Sequence, residues 1–181
     1  MKANHKTTSK FLSLILRHKP GTIGLTLDHN GWASTDELLA KLAESGHATT
    51  IEELKAIVDN NDKKRFAFSE DYTRIRANQG HSVEIDLALQ TAIPPDVLYH
   101  GTATRNMDSI KQHGLIKGSR HHVHLSADTE TAKRVGMRYG HPVVLMINAK
   151  KMHEEGIAFY QSQNGVWLTE TVLPEFIRFE V

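Results

Sequence analysis

Lys63-Lys64-Arg65-Phe66-Ala67-Phe68-Ser69-Glu70-Asp71-Tyr72-Thr73-Arg74-Ile75-Arg76 is where the chain changes its hydrophobic period. Residues 65–68 alternate, residues 69–73 have turn composition, and residues 74–76 alternate again, which predicts a β-hairpin. Upstream the period is helical. Phe11, Leu12, Ile15 and Leu16 share one helical face, with Thr8 or Ser9 as N-cap, Arg17-His18-Lys19 in the last turn and Pro20 as the stop. Ser34-Thr35-Asp36-Glu37 and Thr50-Ile51-Glu52-Glu53 have capping-box spacing. They lead into Leu38, Leu39 and Leu42 in one case, and Leu54, Ile57 and Val58 in the other. Helices closed by a hairpin predict a winged-helix-like module.

Downstream, Gln79-Gly80-His81 ends the hairpin and Pro94-Pro95 favours extended chain. A boundary is expected near residue 90, giving a first lobe over 1–90 and a second over 91–181. The second half reads as strands at 97–102, 123–126, 143–147, 166–169 and 176–179, with helices at 107–114 and 129–139. The fold class is therefore α+β, not a regular βαβ series.

The 181 residues are 39% hydrophobic and 24% charged, as in globular domains. No apolar run approaches the roughly 18 residues that span a bilayer, and the first ten residues lack a secretory h-region. A cytoplasmic protein without membrane association is expected. The absence of cysteine removes disulfides, thiolate zinc sites and cysteine nucleophiles. Lys and Arg number 22 against 21 Asp and Glu, which disfavours a long nucleic-acid footprint. Eight of the 12 histidines fall in residues 81–181.

No Gly-x-Gly-x-x-Gly, P-loop or Gly-x-Ser-x-Gly pattern occurs, so Rossmann, P-loop and serine-hydrolase readings lose their main support. Arg17-His18 ends an apolar helix. It is either a favourable cap on the helix dipole or an anion site pairing a guanidinium fork with an imidazole. Lys63-Lys64-Arg65 is either a solvated charge run or, because Arg65 opens a strand of fixed direction, a partner of Arg17 on one phosphate. Arg120-His121-His122-Val123-His124 places His122 and His124 on one strand face. No carboxylate set accompanies them, so no metal site is expected and polar ligand contacts are favoured. His100-Gly101-Thr102 offers a backbone that a ligand can approach closely, or simply a turn.

Together these segments closely resemble the RNA 2′-phosphotransferase family, the KptA-type enzymes. The matching pieces are Ser9-Lys10-Phe11-Leu12-Ser13, Leu16-Arg17-His18, Leu27-Asp28, Gly31-Trp32, Asp62-Lys63-Lys64-Arg65-Phe66 and Gln79-Gly80-His81-Ser82. In the second half they are Tyr99-His100-Gly101-Thr102, Arg120 with Val123-His124-Leu125-Ser126, and Asn164-Gly165-Val166-Trp167-Leu168. They run in family order over roughly residues 8–178.

The resemblance implies a winged-helix-like RNA lobe and an ADP-ribosyltransferase-like lobe that holds NAD+ without a Rossmann fingerprint. Arg17, His18, Arg65 and Arg120 match the family's functional residues. His100, Gly101, Thr102 and Ser126 match its NAD-binding wall, and Arg138 is a candidate for the pyrophosphate. The implied substrate is RNA with an internal 2′-phosphate, tRNA-like, and the implied reaction has two steps. The 2′-phosphate attacks C1″ of the nicotinamide riboside and nicotinamide leaves. The ribose O2″ then attacks phosphorus, releasing 2′-OH RNA and ADP-ribose 1″,2″-cyclic phosphate. A monomer is expected. The alternatives are an ADP-ribosyltransferase acting on another phosphate or a protein acceptor, and a non-enzymatic winged-helix nucleic-acid binder.

Overall fold

The structure is a computed structural model that describes residues 2–61 and 63–179. The chain divides into two compact units, Met1–Ala88 and Leu89–Val181. Each unit has its own hydrophobic core. Among the described residues no helix is long and apolar enough to cross a membrane.

The first unit opens with α1 (Lys2–Arg17). The expected cap at Thr8 or Ser9 is not there: both lie inside the helix, and Thr8 is buried. Nothing before them stops a helix, because the stretch lacks both Gly and Pro. The last turn closes at Arg17, and the N–H groups of His18 and Lys19 both donate to the Leu14 carbonyl at 3.0 and 2.9 Å. Pro20 then opens a short 3-10 turn.

The unit continues through β1 (Trp32–Ser34), α2 (Thr35–Glu44), α3 (Ile51–Asp59), β2 (Phe66–Phe68) and β3 (Arg74–Ala77). The Thr50–Glu53 capping box is complete, with bonds of 3.2 and 3.0 Å. The Ser34 box is half made. Ser34 Oγ accepts from the Glu37 N–H, while the Glu37 carboxylate accepts from the Thr26 N–H at 3.2 Å. The hairpin forms where its alternation predicts, but β3 also has a second partner in β1, giving the antiparallel order β1-β3-β2. Three residues, Trp-Ala-Ser, are too short to display an alternation, which is why β1 was not legible. Leu12, Ile15, Leu16, Leu38, Leu42, Leu54 and Ile75 are fully buried in the core between these elements. Each such side chain contributes roughly 1.5–3 kcal/mol of transfer free energy.

The second unit contains β4 (Leu98–Ala103), α4 (Met107–His113), β5 (Leu115–Ile116), β6 (Val123–Leu125), α5 (Thr129–Gly136), β7 (Pro142–Ile147), α6 (Ala149–Glu154), β8 (Tyr160–Gln161), β9 (Trp167–Thr169), β10 (Thr171–Val172) and β11 (Ile177–Arg178). Its sheets are antiparallel and small: β11-β7-β4, β6-β9-β8 and the pair β10-β5. The chain is thus mixed α and β, with six helices among the described residues. The helix expected over 129–139 ends at Gly136. Beyond it the turns tighten, with Arg138 N–H donating to Val135 and Tyr139 N–H to Gly136. The strand expected over 176–179 is only Ile177–Arg178, because Pro174–Phe176 forms a 3-10 turn. Helix α6 and strands β5, β8 and β10 are too short to announce themselves by period.

One close approach sets the geometry of this unit. Helix α5 lies against β4 with no side chain between them at Gly101. A Cβ there would sit 1.6 Å from the Ala132 carbonyl oxygen. On the helix side, a Cβ on Gly136 would sit 2.5 Å from the Thr102 carbonyl. The missing side chain of Gly101 thus makes room for a helix on that face of β4. Gly101→Ala is expected to destabilise the protein by about 3 kcal/mol, an overpacking penalty in rigid backbone. Gly21→Ala, where nothing lies within 4 Å, should stay within about 1 kcal/mol of wild type. Thermal melts of the two variants check the contrast.

Candidate functional site

The sequence-selected residues fall in both units. In the first, Arg17 is the last residue of α1 and half-buried, and His18 is the exposed residue after it. His18 is held by Ser82, whose Oγ lies 2.9 Å from Nδ1. The Ser82 N–H donates to the Arg17 carbonyl at 2.8 Å, so one residue fixes both backbone and ring. Arg65 immediately precedes β2 and is half-buried. Its Nη1 donates to Asn61 Oδ1 at 3.2 Å, and its carbonyl accepts from the Asn78 N–H at 2.9 Å. The segment 78–82 therefore ties Arg65 at one end and Arg17 and His18 at the other. Asp62, quoted in the motif over 62–66, lies outside the described residues.

Two further motifs support that segment. Asp28 Oδ1 accepts from the Asn30 and Trp32 N–H groups at 2.9 Å each, making a tight turn through Gly31 at φ +79°. A Cβ on Gly31 would meet Ile85 at 2.9 Å and the His81 ring at 3.4 Å. The turn therefore packs on the stretch that carries Ser82. Ser82, Asn61 and Asn78 have structural roles that sequence reasoning missed. Of the three, only Ser82 lies within a quoted motif, Gln79-Gly80-His81-Ser82.

In the second unit, His100, Gly101 and Thr102 lie on β4, Ser126 follows β6, and Arg120 lies in the turn before β6. Tyr99 and Ser126 exchange both backbone hydrogen bonds, at 2.9 and 2.7 Å, so the two sheets meet at this bridge. Antiparallel alternation then points the N–H and C=O of Gly101 to the same edge of β4, away from β7. Among the described residues no strand pairs with that edge at Gly101. A donor and an acceptor side by side suit a primary carboxamide.

The His100 ring is fixed by a 2.9 Å bond from Nδ1 to the His124 carbonyl. A carbonyl only accepts, so Nδ1 carries the proton and Nε2 of the neutral ring is an acceptor. Burial pushes the His100 pKa down, and the Arg120 charge adds to this, while the bond to His124 opposes it. Arg120 Nη1 lies 3.4 Å from His124 Nδ1. Thr102 is buried, and its Oγ1 accepts from Asn106 at 3.1 Å. The structure thus brings Arg120, His124, His100 and Ser126 together around β4 and β6. Arg138 lies in the turn after α5.

Comparison with known proteins decides the family. The model of the RNA 2′-phosphotransferase, Tpt1 / KptA family, matches residues 3–171. The chain belongs to this family. A probable RNA 2′-phosphotransferase of Pseudomonas aeruginosa is 59% identical over 172 residues, 94% of either chain. Proteins of the same description are 52% identical in Fusobacterium nucleatum, covering 97% of this chain and 99% of the relative, and 51% in Flavobacterium johnsoniae, covering 97% and 96%.

For this RNA 2′-phosphotransferase family member, the lowered His100 pKa has a measurable consequence. A histidine whose folded pKa lies below the unfolded 6.5 binds fewer protons when folded. Its contribution to stability is complete above about pH 6.5 and is lost as pH falls through the folded pKa. His122, lowered mainly by burial, acts in the same direction. His100→Gln should therefore flatten part of the stability decline below about pH 6.5, read from melts across pH. NMR titration of His100 should give a midpoint below the ordinary value.

Proposed function

We propose that the chain is a transferase that removes an internal 2′-phosphate from RNA with NAD+ as co-substrate. The first unit serves as a winged-helix-like RNA lobe and the second as an ADP-ribosyltransferase-like lobe. What supports the RNA reading is family membership across residues 3–171. The observation that carries the NAD+ reading is the donor–acceptor edge of Gly101, which no strand pairs among the described residues, beside a neutral, oriented His100. The residues present fit that co-substrate. Gly101 N–H and C=O suit the nicotinamide carboxamide, His100 Nε2 can accept from a ribose hydroxyl, and Thr102 and Ser126 complete the wall.

NAD+ supplies an electrophilic C1″ and a good leaving group. In the first step the phosphate is already anionic, so it needs positioning more than deprotonation. Arg17, His18 and Arg65 hold it. In the second step negative charge builds on phosphoryl oxygens, and fixed guanidinium donors stabilise it. Arg120 serves the phosphate from the NAD+ side. Ser82 keeps His18 aligned through Nδ1. The attacking O2″ loses a proton and the departing RNA 2′-oxygen gains one, an exchange that suits an imidazole.

The direct test is a short RNA with one internal 2′-phosphate, incubated with and without NAD+ and read by mass and gel mobility. NAD+-dependent phosphate loss with release of cyclic-phosphorylated ADP-ribose is expected. Untouched RNA alongside NAD+ hydrolysis or protein labelling would move the search to other ADP-ribose acceptors. Arg65→Ala or His18→Ala should slow the second step by about 10²- to 10³-fold, so that ADP-ribosylated RNA accumulates. Equal slowing of both steps would sink the assignment. Arg65→Lys should also be poor, because an ammonium does not reproduce a bidentate fork.

A further inference from the structure

A groove of about 450 Å³ runs along the first unit beside Arg65. Lys6, Ser9, Lys10 and Ser13 of α1 line one side, and Lys63 and Arg65 contribute from the loop before β2. Residues 1–88 carry 12 Lys and Arg against 12 Asp and Glu, so the unit has no net charge to spread. Four of those cations line this one groove, and no acidic side chain does among the described residues.

The clustering has a local cost. Lys6 and Lys10 are exposed and stand one turn apart, where like charges repel by a few tenths of a kcal/mol. Neither forms an ion pair among the described residues. The carbonyls at the end of α3 do not account for the charge, because Lys64 already reaches the Asp59 carbonyl at 3.1 Å. Ser9 Oγ accepts from Asn61 Nδ2 at 3.3 Å and keeps its own O–H to donate. The same Asn61 holds Arg65 through its Oδ1. Among the described residues no aromatic side chain lines the groove, so they offer no stacking platform for bases.

We infer that this groove seats the sugar-phosphate backbone of single-stranded RNA next to the 2′-phosphorylated nucleotide. Lys6 and Lys10 contact phosphodiester oxygens, and Arg65 joins the groove to the phosphate clamp. The inference rests on the reading of Arg65 under Proposed function and extends it to the flanking strand. Recognition is of charge and shape, independent of sequence.

The test uses the full chain and a labelled RNA of about ten nucleotides without a 2′-phosphate, followed by fluorescence anisotropy across salt. The double variant Lys6→Ala/Lys10→Ala should weaken binding by about tenfold at low salt and reduce the salt slope by about 1.4. Lys6→Arg/Lys10→Arg should restore both, and two unrelated RNA sequences should behave alike. With the 2′-phosphorylated ten-mer, the alanine variant should raise KM by a larger factor than with a 2′-phosphorylated dinucleotide. Wild-type affinity and salt slope in the alanine variant would overturn the groove while leaving 2′-phosphate removal standing. If wild-type protein removed no 2′-phosphate, the functional reading would fall, and anisotropy would still decide whether the groove binds RNA.

Discussion

The second unit depends on one contact without side chains, where Gly101 of β4 lies against the Ala132 carbonyl of α5. A methyl group there would overlap backbone oxygen, and backbone in a helix cannot yield as a flexible side chain can. The helix thereby covers one face of β4 while β7 pairs along one of its edges. What remains is the other edge, bridged at Tyr99 by Ser126 and open two residues later. Among the described residues, the polar groups suited to a carboxamide are thus left without a strand partner. His100, the next residue back, is held against the His124 carbonyl and kept neutral by burial.

The first unit solves a different problem. Arg17, His18 and Arg65 come from a helix end and a strand start that are far apart in sequence. A single stretch, 78–82, bonds to Arg65 through Asn78 and to Arg17 and His18 through Ser82. That stretch is packed in turn against the Asp28–Trp32 turn. Motifs that look like separate fragments in one dimension are one support in three.

Charge in this unit is arranged rather than abundant. Balanced totals disfavour a long nucleic-acid footprint, and they are compatible with a short one because field strength depends on local density. The groove beside Arg65 shows the distinction. Its four cations sit among residues whose overall charge cancels.

The sequence by itself determined the longer elements. α2 and α3 followed from Ser34 and Thr50 caps and leucine spacing, and the hairpin followed from its change of period. These are local preferences, read within a few residues of each element. Family membership was equally legible, because ordered motifs survive without knowledge of their contacts. Tertiary structure alone decided that β1 completes the first sheet, and that α6 and the strands β5, β8 and β10 exist. Such elements bury too few residues to carry a period and are held by their neighbours. It also decided what Gly101 is for, which atom of His100 accepts, and that Ser82 and Asn61 hold the two cationic ends. Each of these depends on a contact between residues distant in the chain, and no local pattern encodes the partner.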